Sequence, residues 1–260
     1  TLVLIAVAAY KKELRPLTWP HLRAYLVLGA IGVALPVPLL TFLAPKLPVG
    51  IITLLLVLVP LLTYAMSYFL RIEKFRISGM IGVLLGLGGM LFVLVPQTGL
   101  PTPDMVGWVL LALVGPLCFA SCNAFVVILS PLGTPSLMMA AGMSAGATLL
   151  LAPVMVASGH GFVFPTATLD GNLVILYAAA ITAATMVAWF FLVRITGPVF
   201  FSQFNYFIVL GGFGWGYFLY DERHSFWVWV ATALAFAGLA IFTRGAKGQE
   251  VQEQAPAVAE

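Results

Sequence analysis

The chain has 260 residues, of which 62% are hydrophobic and 8% are charged, with a mean hydropathy of +1.09 and a formal net charge of +3. Soluble domains carry about 25% charged residues, so this composition excludes a water-soluble globular domain and predicts an integral membrane protein. The basic residues are confined to a few loops, which indicates an orientation in the bilayer and not a nucleic-acid surface.

The first nine residues, 1–9, are apolar. As a helix they would reach roughly 14 Å, about half of the ~30 Å hydrocarbon core of a bilayer. Neither an initiator Met nor a basic segment precedes them, which argues against a signal peptide. We therefore expect the chain to enter partway through a transmembrane helix.

A basic loop with prolines is predicted at 11–23, and apolar runs long enough to span a bilayer follow it. The eight predicted spans are 24–44, 48–70, 77–96, 106–129, 135–158, 172–193, 198–219 and 225–243. Short breaks rich in turn residues separate them. The polar tail, 245–260, is predicted to be disordered.

The loop charges predict an orientation. If the 11–23 loop is cytoplasmic and the helices alternate, ten of the 12 basic residues lie inside and only Lys46 and Arg223 lie outside. An excess of Lys and Arg in cytoplasmic loops is the strongest topological signal in membrane sequences. We expect the C-terminus to be cytoplasmic.

A segment of the first half returns in the second half. Residues 69–92 reappear after a shift of 149 positions (69 to 218) at 218–242, with Glu73 aligned to Glu222 and Gly89 aligned to Gly238. Five predicted spans separate the two copies, and an odd number places them on opposite sides of the membrane. Inverted repeats of this kind are typical of transporters that work by alternating access.

A family resemblance follows from these motifs. The chain has a Pro-containing helix at Val59-Pro60-Leu61, an FL-x-x-E turn before a Gly-rich helix in both copies, and a second half that opens Gly107-Trp108 and continues to Asn123. Over residues 1–244 it resembles the EamA-type family of the drug/metabolite transporter superfamily. That resemblance implies ten helices in two inverted five-helix repeats, with both ends cytoplasmic, in a secondary transporter that often exports amino acids or other small metabolites.

The predicted fold class is therefore an all-α polytopic membrane protein with an inverted repeat of five-helix units. On the family template this chain has eight complete transmembrane helices plus an N-terminal half helix, and lacks the first helix. The predicted domains are a truncated first repeat at 1–97, a second inverted repeat at 98–244 and the cytoplasmic tail at 245–260. The predicted location is the plasma membrane, the inner membrane in a bacterium.

Uncharged polar side chains in the helix cores are the candidate solute ligands, because burying them in lipid without partners costs free energy. The predicted substrate-binding residues are Asn123, Thr182, Thr185, Trp189, Gln203, Asn205 and Tyr206. Amides beside aromatic rings suit a small organic solute with an apolar body. The alternative is that these groups only join helices by hydrogen bonds or sit at the membrane interface. Tyr64, Ser67 and Tyr68 could complete the lining, but they lie toward the cytoplasmic end and that alternative is favoured for them.

The ionisable residues provide no strong candidates for a functional site. The predicted helix cores contain no Asp, Glu, Lys, Arg or His, so no carboxylate relay is visible. Glu73 and Glu222 fall at helix ends, where an interfacial cap is favoured over a gate because charge costs little there. The three histidines, at 21, 160 and 224, are predicted in loops, and Cys118 and Cys122 share one apolar run without a zinc or CxxC spacing. No metal, disulfide, cofactor or catalytic residue is predicted.

The predicted function is a secondary transporter, most simply an exporter of amino acids or similar small metabolites. Three alternatives stay open: a nucleotide-sugar carrier, although the core lacks the Lys or Arg that would meet phosphates; an intramembrane enzyme, which needs a nucleophile and a base; and a structural membrane protein. The predicted partners are the lipid bilayer and a small-molecule solute, with a coupling proton and a homodimer left open, and no nucleic acid.

Overall fold

A computed structural model describes residues 1–11, 17–47, 49–94, 105–159, 169–208, 210–211, 229–230, 233–242 and 244. Throughout these residues the secondary structure is helical and no strand is present. The helices are α1 (Leu2–Tyr10), α2 (Trp19–Gly29), α3 (Pro36–Leu43), α4 (Val49–Leu56), α5 (Val59–Phe69), α6 (Ile77–Leu94), α7 (Val106–Ala112), α8 (Val114–Leu129), α9 (Ser136–Ala157), α10 (Leu169–Thr196), α11 (Pro198–Ser202) and α12 (Ala233–Phe242).

Four helical segments of the described chain are long and apolar enough to cross a membrane. They are Trp19–Leu43, Val106–Leu129, Ser136–Ala157 and Gly171–Thr196. Each falls on a predicted span. The all-α membrane fold is thereby confirmed, whereas the count of eight spans and their inverted arrangement stay predictions. Glu222 with its turn and the tail 245–260 lie outside the described residues.

Prolines interrupt two of the predicted spans. The first span joins α2 to α3 through a π-helical turn, Ala30–Ala34, in which the Leu35 N–H donates to the Ala30 carbonyl at 2.8 Å. Pro36 follows this turn and cannot donate a backbone bond of its own. The predicted run 48–70 is not one continuous helix but two, α4 and α5, because Pro60 lacks the N–H that would bond the carbonyl of Leu56.

The chain divides into two packed units. Unit 1 contains residues 1–38 and 125–197, and unit 2 contains residues 39–124 and 198–260. Each unit therefore takes helices from both predicted repeats. Sequence repeats and packing units are different divisions of the chain, so the predicted repeat boundaries stay a prediction.

In unit 1, α2 packs against α9 at a crossing of small residues. A Cβ added to Gly29 would lie 2.6 Å from the Ala147 nitrogen, and the Tyr25 ring covers Gly142. Small residues let helix backbones approach closely in membranes, where dispersion and interhelical hydrogen bonds drive association. α10 and α1 also pack on α9.

In unit 2, α6 and α12 cross backbone to backbone. A Cβ added to Gly82 would lie 2.5 Å from the Gly238 carbonyl oxygen, so only glycine fits there. One turn along α6, Gly86 provides the space for the ring of Tyr206, whose hydroxyl donates to the Val83 carbonyl at 3.1 Å. The Gly-rich helices of the two predicted repeats, α6 and α12, therefore contact each other.

The turn that ends α5 is closed by backbone hydrogen bonds. The Ile72 N–H donates to the Ser67 carbonyl at 2.9 Å and the Arg71 N–H to the Tyr68 carbonyl at 3.0 Å, which is the Schellman pattern. Arg71 has the left-handed φ of 56° that this pattern requires. The Tyr64 hydroxyl fixes the far side of the turn through Arg76, donating to its carbonyl at 2.7 Å and accepting from its N–H at 2.8 Å.

The expectation that the N-terminal loop extends to residue 23 and contains His21 is wrong. His21 is not in a loop but in the first turn of α2, which begins at Trp19 with Pro20 near its start. Proline is well suited to a first helical turn, since its missing N–H would be unpaired there anyway. The side chain of His21 is also buried.

Candidate functional site

The candidate site is centred on Gln203, at the turn that follows α11 in unit 2. The Gln203 N–H donates to the Phe200 carbonyl at 3.2 Å, and the Gln203 carbonyl accepts from the Tyr206 N–H at 3.1 Å. These i→i+3 bonds tighten the backbone between α11 and the helical residues 204–208. The side chain of Gln203 is 1% exposed.

Two apolar clusters define how residues 199–206 lie along α4 and α5. Val199 belongs to one cluster with Tyr64, and Tyr206 belongs to another with Val57. Leu61 packs against both clusters. The two segments are therefore antiparallel, and Gln203 lies beside the first turns of α5.

The buried face of α5 carries two hydroxyl groups. Thr63 and Ser67, spaced i and i+4, are each 0% exposed. Their hydroxyl oxygens, and both polar atoms of the Gln203 side chain, have no hydrogen-bond partner in the described part of the chain. An unpaired buried polar group costs about 1–3 kcal/mol, so its presence in a native structure calls for a ligand or water. Unit 2 therefore holds a buried, uncharged and unsatisfied polar cluster.

The charged turn beside this cluster is bound to the start of α11. The Glu73 carboxylate accepts a hydrogen bond from the Val199 N–H and is attracted to Arg76. Burial outweighs both effects and raises the pKa of Glu73 above its ordinary value. Glu73 thus fixes the N-terminal end of the helix that leads to Gln203, which agrees with the favoured expectation of a cap.

The other predicted ligands in unit 2 have defined surroundings. The Asn205 side chain donates to the Ser202 carbonyl at 2.8 Å, and the Tyr206 hydroxyl is occupied by its bond to Val83. Asn123 is buried on α8. These contacts favour packing roles for Asn205 and Tyr206, whereas Gln203 keeps its full hydrogen-bonding capacity.

The three predicted ligands on α10 lie in unit 1. Thr182 and Thr185 are exposed, and the Thr185 hydroxyl donates to the Ile181 carbonyl one turn earlier at 2.8 Å. The Trp189 ring meets the Phe190 ring edge to face with centroids 4.6 Å apart. Within unit 1 these residues form no buried polar cluster. Their role as solute ligands stays a prediction.

Unit 1 contains an apolar groove of about 690 Å³ between α1, the start of α9 and α10. Alanine and valine side chains form most of its lining, including Ala183, Ala184 and Val187, and its polar side chains are Lys11 and Ser136. Such a surface suits lipid chains or a neighbouring helix better than a polar solute.

A hydrogen-bond network at one end of unit 1 was missed by the sequence analysis. The two ring nitrogens of His21 lie 2.6 Å from the Thr18 hydroxyl and 3.0 Å from the Thr134 hydroxyl. Arg194 donates to the Thr134 carbonyl. The network joins the segments before α2, before α9 and at the end of α10. No local pattern indicates it, because its members are far apart in the chain.

Long apolar helices, broken by prolines and joined through glycine contacts, with polar groups buried among them, define the class of polytopic α-helical integral membrane proteins. Residues 1–95 match the EamA-like transporter family. Among curated proteins no match was found. Among solved structures 13 chains match. One of them, described only as the crystal structure of a protein, has a TM-score of 0.71 and is 20% identical in sequence. The matched region covers 93% of this chain and 83% of the chain in that structure.

The predicted resemblance to EamA-type transporters of the drug/metabolite transporter superfamily is confirmed over residues 1–95, and the solved structure shares its fold with most of the chain. The protein is an integral membrane protein in contact with the lipid bilayer.

Proposed function

We propose that this protein is a secondary transporter that exports amino acids or similar small metabolites by alternating access. The observation that carries the proposal is Gln203, a carboxamide that is 1% exposed, has no partner within the described residues and belongs to the predicted span 198–219. A primary amide offers two donors and an acceptor. A polar solute in transit would satisfy them.

The depth of Gln203 suits a solute that arrives from the cytoplasm. Gln203 lies five residues after Pro198, where α11 begins. At 1.5 Å per residue it is roughly 8 Å inside that end of the helix. The end itself carries Glu73 and follows Arg194, both on the predicted cytoplasmic side.

Contacts within each unit agree with the predicted orientation. In unit 1 the network of His21, Thr134 and Arg194 joins the start of α2, the segment before α9 and the end of α10, which are all predicted to be on the cytoplasmic side. In unit 2 the ammonium of Lys46 lies 4.0 Å from the centre of the Trp108 ring, and both residues border loops predicted to be external. Loops on opposite sides of a bilayer cannot make such contacts.

The contact between α6 and α12 supports an inverted repeat. Gly82 and Gly238 belong to helices that are equivalent under the 149-residue shift (89 to 238), and they meet backbone to backbone. Repeat-equivalent helices that pack on one another are expected beside the pseudo-two-fold axis of an inverted repeat, about which such transporters rock.

The test is comparative metabolite profiling of the medium from cells that express the full reading frame containing this chain. Gln203→Leu removes the amide at similar size, and Thr148→Val, which removes an exposed hydroxyl on α9, is the matched control. We expect one class of small metabolite to accumulate outside with the unchanged protein and with the control, and this accumulation to fall at least about tenfold in Gln203→Leu. Membrane abundance is matched by quantitative blotting.

Identical profiles for the unchanged protein and Gln203→Leu would contradict the proposal. Loss of a metabolite from the medium, with accumulation inside the cells, would contradict export and indicate uptake.

A further inference from the structure

The buried polar groups without a hydrogen-bond partner among the described residues of unit 2 include a hydroxyl as well as the amide of Gln203. Thr63 on α5 and Gln203 after α11 are both fully buried and both lack partners in the part of the chain that is described. α11 packs directly against α5. Because Leu61 contacts the clusters on either side, the antiparallel register places Gln203 near the turn of α5 that contains Thr63.

We propose that Thr63 and Gln203 form one subsite that binds an uncharged carboxamide or hydroxyl group of the transported solute. The hydrogen-bonding capacities agree with such a group. Gln203 offers two N–H donors and a carbonyl acceptor, and Thr63 offers a hydroxyl that donates and accepts. A carboxamide or a hydroxyl can donate and accept at the same time, whereas a carboxylate only accepts and an ammonium only donates.

The lack of fully buried charged side chains in the described part of unit 2 also favours a neutral ligand group over a charged one. No Asp, Glu, Lys, Arg or His is among the fully buried side chains described in unit 2, whereas Glu73 and Arg76 are half-buried and the Arg76 Nε atom has no hydrogen-bond partner among the described residues. The charged groups closest in sequence to this face, Glu73 and Arg76, lie in the turn beyond α5 and interact with each other. An ion placed between Thr63 and Gln203 would be desolvated with no fully buried side chain of opposite charge among the described residues of unit 2, which is far more costly than burying a neutral group.

Ser67 continues the same face one turn closer to the charged turn, and its hydroxyl is also unpartnered. Its backbone carbonyl already accepts from the Ile72 and Glu73 N–H groups at 2.9 and 3.3 Å. The polar face of α5 therefore has two successive unpartnered hydroxyls, one helical turn apart, between the charged turn and the first turn of the helix.

The experiment uses three probes of equal size and different charge: propionamide, propionate and propylammonium. Thermal unfolding of the detergent-purified full chain is followed over a concentration series of each probe at matched ionic strength. We expect propionamide alone to raise the Tm of the unchanged protein. Gln203→Leu and Thr63→Val should each weaken its apparent affinity about tenfold, the loss that follows removal of one hydrogen-bonding group from a buried site.

Two further variants keep the test decisive. Thr63→Ser restores the hydroxyl and should restore the response to propionamide, and Thr148→Val, which removes an exposed hydroxyl on α9, should not change it. A larger Tm rise with propionate or propylammonium, no response to any probe, or a propionamide response that persists in Thr63→Val would each overturn the subsite.

The inference rests on the proposed transport function, and the two can fail separately. Export that requires Gln203 but is unchanged in Thr63→Val would keep the transporter and overturn the subsite. Probe binding that requires both residues, with no Gln203-dependent metabolite in the medium, would keep the subsite and overturn transport.

Discussion

The surroundings of Glu73 determine how a single carboxylate responds to pH. Burial destabilises its charged form, whereas the Val199 N–H and Arg76 stabilise it, and the effect of burial is the larger. A raised pKa in the folded protein means that the folded state binds the proton more tightly than the unfolded state does. The stability that this proton contributes is fully present below the unfolded pKa and is lost as the pH rises through the folded pKa.

The Glu73→Gln variant should remove this pH dependence. We expect the free energy of unfolding of the unchanged protein to fall as the pH rises from the ordinary glutamate pKa of 4.5 through the raised value. The glutamine keeps an oxygen that can accept from the Val199 N–H and does not titrate, so its profile should be flatter over this range. Thermal unfolding in detergent across the pH series measures both. A slope that is equal in the two proteins would show that Glu73 is not responsible.

At the scale of secondary structure, glycine contacts decide which helices pack. α6 carries several glycines, but their surroundings differ. Gly82 touches the backbone of Gly238 and Gly86 touches the ring of Tyr206, whereas a Cβ added to Gly88 would have no atom within 4 Å. The sequence spacing of Gly82 and Gly86 predicts a close helix contact, and the structure identifies α12 and Tyr206 as the partners.

Gly82→Ala should therefore destabilise the protein, and Gly88→Ala is the matched control on the same helix. Because the obstructing atom at Gly82 is a backbone oxygen, the helices must separate, and we expect a loss of about 1–3 kcal/mol. In the control the added methyl group meets open space and alanine favours the helix more than glycine does. Denaturation in mixed micelles compares the two. Equal stability of both variants would contradict the backbone contact between α6 and α12.

At the scale of the whole chain, orientation depends on where the basic loops lie. The three segments that meet in unit 1 are all predicted to be cytoplasmic, and the pair that meets in unit 2 is predicted to be external, as the distribution of Lys and Arg in the sequence requires. The packing units combine helices from both predicted repeats, as unit 1 does with 1–38 and 125–197. Neither predicted repeat therefore packs as a separate unit.

Single-cysteine labelling tests the orientation. In a background with Cys118 and Cys122 replaced by alanine, Lys46→Cys should react with a membrane-impermeant maleimide in intact cells. Lys74→Cys and Leu132→Cys should react only after the membrane is opened. Lys74 and Leu132 are exposed and Lys46 is partly exposed, so access to the reagent depends on the side of the membrane. Labelling of Lys74→Cys in intact cells would reverse the proposed topology.

The sequence by itself determined the membrane class, the all-α fold, the positions of the long spans and the family resemblance. These depend on local apolar content and on motifs that are contiguous in the chain, such as Val59-Pro60-Leu61. It also predicted that Gln203 is a candidate ligand, because an amide within an apolar span is costly wherever it packs.

Only the tertiary structure decided which polar groups keep free hydrogen-bonding capacity. Asn205 and Tyr206 resemble Gln203 in sequence context, but the side chains of both donate hydrogen bonds to backbone carbonyls. Thr63 was not predicted and Ser67 was assigned to packing, yet both present unpaired hydroxyls on the buried face of α5. A hydrogen bond depends on distance and direction between groups that are far apart in the chain, and composition and spacing contain neither.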